Sequence, residues 1–214
     1  VYIEGSAAVV GEMEKEGPLG AYFSHTLSDA MCGQESWEEG ESELQLAAAK
    51  LAMQRADVKP EQIRMVFAGD LLAQSIASSF GLVNLNCPLY GLFGACSTIG
   101  EAISLGAMAV AGGYGDRVLV VTSSHFGTAE KEFRFPLAYG NQRPPSASWT
   151  VTGSGACVLG KRKKKGKITG ITTGKIIDYG LKDNQNMGAC MAPAACDTIC
   201  QNFVDFNRGP DDYD

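Results

Sequence analysis

Histidine is scarce in this 214-residue sequence, with two copies, and so is tryptophan. No stretch approaches the roughly 18 to 20 consecutive apolar residues of a membrane-spanning helix, so none is expected. The opening Val1-Tyr2-Ile3-Glu4-Gly5 has no basic segment leading into an apolar one, so no signal peptide is expected either. Positive charge is not in excess: 18 Lys and Arg face 24 Asp and Glu, a net charge of -6. A phosphate backbone calls for a basic surface, which argues against nucleic acid as a partner. There is no Cys-x-x-Cys pair among the seven cysteines, and their odd number does not suit a disulfide framework. Cys190, Cys196 and Cys200 cluster, but both histidines lie far upstream, which favours buried apolar thiols over a metal site. No Gly-Lys-[Ser/Thr] loop is present, and no G-x-G-x-x-G opens a helix, so no phosphate loop is expected; no metal or cofactor is expected either.

What is present reads as an ordinary globular chain. Apolar residues make up 45% and charged residues 20%, and the length suits one large domain. Strand and helix patterns alternate, which argues for an α/β fold. Residues 1–10 read as a strand and 11–40 as mostly loop. Residues 41–56 read as a helix with Leu44, Ala48, Leu51 and Ala52 on one face. Residues 63–68 predict a short buried strand, and 71–80 a second helix. The segment 99–111 is apolar nearly all round, the mark of a helix inside a domain. The β-branched run 117–122 predicts a strand buried on both faces. Residues 123–148 read as one long polar loop, and loops of that length are usually functional. Residues 151–159 and 167–177 read as an antiparallel pair, with the basic run Lys161 to Lys165 as a solvated turn between them.

An echo runs through the chain. The first long helix is followed by a turn, Pro60 and Glu61. A helix predicted over 193–206 is followed by a turn, Pro210 and Asp211. The echo predicts a duplicated fold, with a first half over 1–177 and the opening of a second, incomplete half over 178–214.

Four places carry candidate chemistry. Cys96, in Gly94-Ala95-Cys96-Ser97-Thr98, stands at the start of the buried helix, where backbone amides and the helix dipole favour a thiolate and bind anions. It reads as an acyl-accepting nucleophile or as a structural thiol in a tight turn. His125 ends Thr122-Ser123-Ser124-His125, just past a buried strand where α/β proteins place ligand crevices; it reads as a base for Cys96, an anion ligand or a surface loop residue. Arg134 lies between Phe133 and Phe135, where a planar guanidinium could hold a carboxylated aromatic ligand or pair with Glu130 or Glu132. Gly153-Ser154-Gly155-Ala156 allows close backbone approach.

The motifs Gly94-Ala95-Cys96-Ser97-Thr98 and Thr150-Val151-Thr152-Gly153-Ser154-Gly155-Ala156 resemble the thiolase and β-ketoacyl synthase superfamily. The match is nearer to its stage V sporulation protein AD (SpoVAD) family. That resemblance rests on Ala68-Gly69-Asp70-Leu71-Leu72, Leu92-Phe93 before the Cys96 turn, Thr122-Ser123-Ser124-His125 and Thr128-Ala129-Glu130. It continues through Phe133-Arg134, Tyr139-Gly140 and Met191-Ala192-Pro193-Ala194-Ala195. The resemblance implies a thiolase-like αβαβα layered fold of two similar halves, a homodimer when full length. It implies a sporulation protein that binds dipicolinic acid (pyridine-2,6-dicarboxylate), alone or with calcium. Such a protein would assist uptake into the forespore beside the other spore stage V A membrane proteins. It would lie on the cytoplasmic side, peripheral to the forespore inner membrane. Cys96 falls on the superfamily's nucleophile position. Guided by position, Cys96, Ser97, Ser124, His125 and Arg134 form the candidate ligand site. The alternative is an acyltransferase of the β-ketoacyl synthase or thiolase type using Cys96, whose other catalytic groups would come from the second half.

Overall fold

The frame of the molecule is set by strands whose neighbours bury both of their faces. The computed structural model describes residues 1–133, 148–164, 166–183 and 186–213. They form two compact units, Val1–Ile168 and Thr169–Asp214.

The first unit is built on one mixed sheet. Its strands are β1 (Tyr2–Val10), β2 (His25–Thr26), β3 (Val66–Asp70), β4 (Leu89–Leu92), β5 (Arg117–Ser124), β6 (Gly153–Gly160) and β7 (Gly166–Lys167). They lie in the order β2-β1-β6-β5-β3-β4, with β7 also on β1. β5, β3 and β4 run parallel, while β6 is antiparallel to both β1 and β5. Thr122 pairs with Gly155 and Ser124 with Gly153, which brings the end of β5 to the start of β6.

Strand alternation sends side chains to two helical layers. Leu119, Val121, Val9, Ala156 and Val158 pack against Leu44, Ala48, Ala52 and Ala56 of the long helix α2 (Trp37–Ala56), after the short α1 (Glu12–Glu16). On the other face lies α4 (Thr98–Ala111), whose Gly106 comes so close that an added Cβ would lie 2.9 Å from Val120 Cγ1. Val118 and Val120 are fully buried, as the β-branched run predicts, and so is Leu159 beside them.

One ion network ties together β1, β5 and the chain just after β6 at one end of the sheet. The Glu4 carboxylate is fully buried; Arg117 Nε donates to it at 2.8 Å and the Arg162 guanidinium lies 3.3 Å away. The backbone amide of Arg162 donates to Glu4 as well, at 2.9 Å. The basic run therefore spends one of its charges on the core, while Lys161 pairs with Asp116 on the surface at 3.0 Å.

Several boundaries differ from the sequence expectation, each for a physical reason. α2 starts at Trp37, not at residue 41, because Ser36 and Glu39 close a capping box in which each side chain bonds the other's amide. The second helix, α3, is only Ile76–Gly81; Asp70 Oδ1 accepts from the Gln74 amide at 3.1 Å, and Ala73 and Ser75 adopt left-handed backbone. The expected loop after residue 123 opens as a helix, α5 (Phe126–Phe133), with Phe126, Ala129 and Phe133 at helical spacing. Among the described residues the expected hairpin is absent: β6 already has β1 and β5 on its two edges, and Gly166–Lys167 pairs with β1 instead. The expected loop over 11–40 holds α1, a 3-10 turn at Gly20–Tyr22 and β2.

The second unit carries α6 (Met187–Phe206), which begins six residues earlier than expected behind an Asn186 cap and contains Pro193. The echo is geometric. α2 and α6 are both 20 residues long and both end in a left-handed residue, Asp57 or Asn207. Each is followed by a Pro-led 3-10 turn, Pro60–Gln62 or Pro210–Asp212. No helix among the described residues is long and apolar enough to cross a membrane.

Candidate functional site

At the C-terminal ends of β1, β3 and β5 the sheet opens into a cavity of about 270 Å³ on the α4 face. The small residues of one strand register make it. Gly153 and Gly155 of β6 face it between Thr122 and Ser124 of β5 on one side and Ala8 and Val10 of β1 on the other. Leu71, Ile99 and Val151 supply apolar walls, and Ala95 and Cys96 the rim. A Cβ on Gly155 would meet nothing within 4 Å, so this strand position leaves the cavity its room.

The turn carrying Cys96 is held under strain. Ala95 has φ +49°, a left-handed conformation that side chains with a Cβ avoid. Ser97 pins it: its amide donates to the Gly94 carbonyl at 3.0 Å and its hydroxyl to the same oxygen at 2.8 Å. The turn also interposes a 3-10 segment, Ala95–Ser97, before α4. Ser97 and Thr98 spend their amides within that segment. The amides that such a start leaves over are those of Ala95 and Cys96, both at the cavity.

The candidate residues separate. Cys96 and Ser124 both line the cavity, with the Ser124 hydroxyl donating to the Val151 carbonyl at 2.5 Å. Ser97 does not line it and serves the turn. His125 is 2% exposed and points away: its Nε2 meets the Ala30 carbonyl at 2.8 Å and its Nδ1 accepts from the Gly127 amide at 3.0 Å. A histidine bound on both nitrogens, and outside the cavity lining, has no lone pair to offer Cys96. Arg134 lies outside the described residues.

Cys96 is also the exposed thiol of the first unit; Cys32, Cys87 and Cys157 are half-buried. Burial, with help from Asp29 and Glu43, pushes the Cys32 thiol up to about 11, and burial raises Cys87 and Cys157 as well. Sequence reasoning missed Leu71, Thr122 and Val151 as lining residues. Gly155 was visible as part of a small-residue strand, but its direction depends on register, which only the pairing with Thr122 fixes. No charged side chain among the described residues lines the cavity.

The profile of the family described as stage V sporulation protein AD matches residues 1–214. The chain is 42% identical over its whole length to the stage V sporulation protein AD of Bacillus subtilis (strain 168), and it spans 63% of that relative's length. Among solved structures it is similar to AbyA1, a tetronic acid condensing enzyme, with a TM-score of 0.63 at 15% identity over 100% of this chain and 77% of the other. It is similar to 3-oxoacyl-[acyl-carrier-protein] synthase III from Aquifex aeolicus VF5, with a TM-score of 0.51 at 16% identity over 77% of this chain and 55% of the other. At such identities these likenesses establish a thiolase-like fold and nothing of the chemistry.

Proposed function

We propose, for a chain that belongs to the stage V sporulation protein AD family, that the full-length protein is a sporulation protein that binds dipicolinic acid at the Cys96 cavity and assists its uptake into the forespore. It would do so as a homodimer on the cytoplasmic side, peripheral to the forespore inner membrane, beside the other spore stage V A membrane proteins.

The observation that carries a binding role is the lining of the cavity. An acyl transfer needs a base for the nucleophile and donors for the oxyanion. Among the described residues the cavity has no histidine, carboxylate or lysine, and His125 is committed to Ala30 and Gly127, so acyl transfer here would have to draw its base from the second half. A flat aromatic dianion asks for less. Its ring would rest on Val10, Leu71 and Val151, and one carboxylate would take the amides of Ala95 and Cys96 at the start of α4. Ser124 would add a hydroxyl once it leaves Val151.

Such a dianion still needs a cation, and Arg134, which directly follows α5 in sequence, is our candidate for a two-pronged clamp. In the full-length protein, Arg134→Ala should weaken dipicolinate binding by about 1.5 to 3 kcal/mol, the scale of a charged hydrogen bond. Cys96→Ala should weaken it less. Calorimetry on both variants, with circular dichroism to verify folding, checks this. Undiminished affinity of folded Arg134→Ala would remove that residue from the site.

The second reading is an acyltransferase using Cys96, favoured by the exposure of that thiol on a strained turn. Incubation with acyl thioesters and intact-mass measurement separates the two: a lasting adduct on Cys96 supports the transferase.

A further inference from the structure

Two carboxylates lie buried together on the α2 side of the sheet, with no cation bonded to either among the described residues. Glu41 of α2 is 4% exposed and Asp70, at the end of β3, is 3% exposed. Glu41 accepts from Ser123 Oγ at 2.6 Å and from Thr128 Oγ1 at 3.0 Å. Asp70 Oδ1 accepts from the Gln74 amide, but Asp70 Oδ2 is buried without any hydrogen-bond partner. Both residues line a cavity of about 20 Å³ with Glu38, Gln74 and Thr128, room for about one water.

Among the described residues the surrounding elements supply no neutralising charge at the pair. On α2, Glu38 is occupied by Lys131 of α5 at 2.5 Å. α5 also carries the buried Glu130, and β5 contributes only the Ser123 hydroxyl. Below them Gln45 donates to Ser123, to Ser78 of α3 and to the Gly69 carbonyl. His125, at the head of α5, is bound to Ala30 and Gly127. Among the described residues no three His, Cys, Asp or Glu side chains converge as metal ligands. Two ionised carboxylates at this depth would repel each other and forgo hydration, each a matter of kcal/mol.

We propose that Glu41 and Asp70 hold one proton between them at neutral pH, on Glu41 and shared with Asp70 Oδ2 directly or through one water, and that its loss loosens the Cys96 cavity. A protonated Glu41 supplies the donor that Asp70 Oδ2 lacks. The pair also grips two ends of the cavity. Glu41 holds Ser123, which sits between the lining residues Thr122 and Ser124. Asp70 precedes the lining residue Leu71, whose amide donates to the Ser123 carbonyl at 3.0 Å. A second negative charge would draw water between α2, β3 and β5 and part those strand ends. Burial pushes the Glu41 carboxyl up, and the Asp70 and Glu38 charges add to this against the hydrogen bonds from Ser123 and Thr128. A carboxyl raised in the folded state stabilises the fold when protonated. That contribution is whole below the unfolded value, about 4.3, and is lost as pH rises through the folded value. The proposal is independent of which ligand fills the cavity.

Infrared spectra of the full-length protein across pH test it. The wild type should show the carbonyl stretch of a protonated carboxyl at neutral pH, and Glu41→Gln should lose it. The wild-type melting temperature should fall as that band titrates away, while Glu41→Gln should stay level through the same range. Cys96 alkylation should accelerate with the same transition beyond the titration of the thiol itself, and only in the wild type. Asp70→Asn gives a second variant if Glu41→Gln fails to fold. It should shift the band's titration downward, because the neighbouring negative charge that holds the proton on Glu41 is gone. Absence of the band in the wild type at neutral pH, or its survival in folded Glu41→Gln, overturns the proposal. So does an unchanged Cys96 rate across the transition.

Discussion

An alanine at position 5 will destabilise the full-length protein by about 3 kcal/mol, the upper end of overpacking effects. Gly5 sits in β1 next to the register shift between Ile3 and Gly5, directly under the last turns of α2. A Cβ there would lie 2.5 Å from the Ala52 carbonyl oxygen, 2.6 Å from the Ala56 amide nitrogen and 2.8 Å from Ala56 Cβ. Two of these are backbone atoms of a helix, which cannot turn aside as a side chain can. The only relief is for α2 to withdraw from β1, and this would open the layer packed on Ala48, Ala52 and Ala56. Intrinsic preference works the other way, since alanine in a strand is favoured over glycine by about 0.5 to 1 kcal/mol. The sign of the effect therefore separates the two terms. Urea unfolding should show a lower midpoint for Gly5→Ala and a midpoint at or above wild type for Gly155→Ala, where the added methyl meets open space. Equal midpoints for the two variants would contradict the packing of β1 under α2.

Removing Arg117 should be nearly as damaging, about 3 kcal/mol. Stripping one partner from a buried ion pair typically costs about 3 to 5 kcal/mol, because the other charge stays behind unpaired. Glu4 here is fully buried, while Arg117 is a quarter exposed at 25%. The lower end of the range is expected, because Arg162 still reaches Glu4 with its guanidinium and its amide. Arg117→Ala with Glu4→Gln should recover part of the loss, since the buried carboxylate is then gone and the Arg162 charge it leaves is 37% exposed to water. Thermal unfolding of the single and double variants measures this, and a double variant less stable than Arg117→Ala would mean that the Glu4 charge is still balanced by Arg162.

How much of this was legible in the sequence depended on whether the signal was local. The run 117–122 announced a doubly buried strand, and β5 with Val118, Leu119, Val120 and Val121 at 0% exposure is that strand. The apolar segment 99–111 became α4 almost to the residue. The start of α2 was equally local but was missed, because Ser36 and Glu39 precede the apolar pattern that marks the helix face. The expected pairing of 151–159 with 167–177 failed for a non-local reason. A strand's partner is decided by which edges are already taken, and β6 has none left. His125 shows the same limit at the candidate site. Its position after a buried strand was right, but its direction was set by Ala30, 95 residues away in the chain. The echo of α2 in α6 was legible because caps and Pro-led turns are written in short stretches, Asp57 to Gln62 and Asn207 to Asp212.

The central claim, that the cavity beside Cys96 is where a small aromatic dianion binds, is tested most directly by titrating dipicolinate into full-length wild type and Gly155→Val by calorimetry. Valine at this position would project its side chain from the one strand register that leaves the cavity its room, with no atom within 4 Å of its Cβ to clash. The account predicts saturable binding to the wild type, binding weakened by about tenfold or more (about 1.4 kcal/mol) in Gly155→Val, and an unfolding midpoint no lower than wild type. Equal affinity for the two proteins would place the ligand elsewhere and contradict the account.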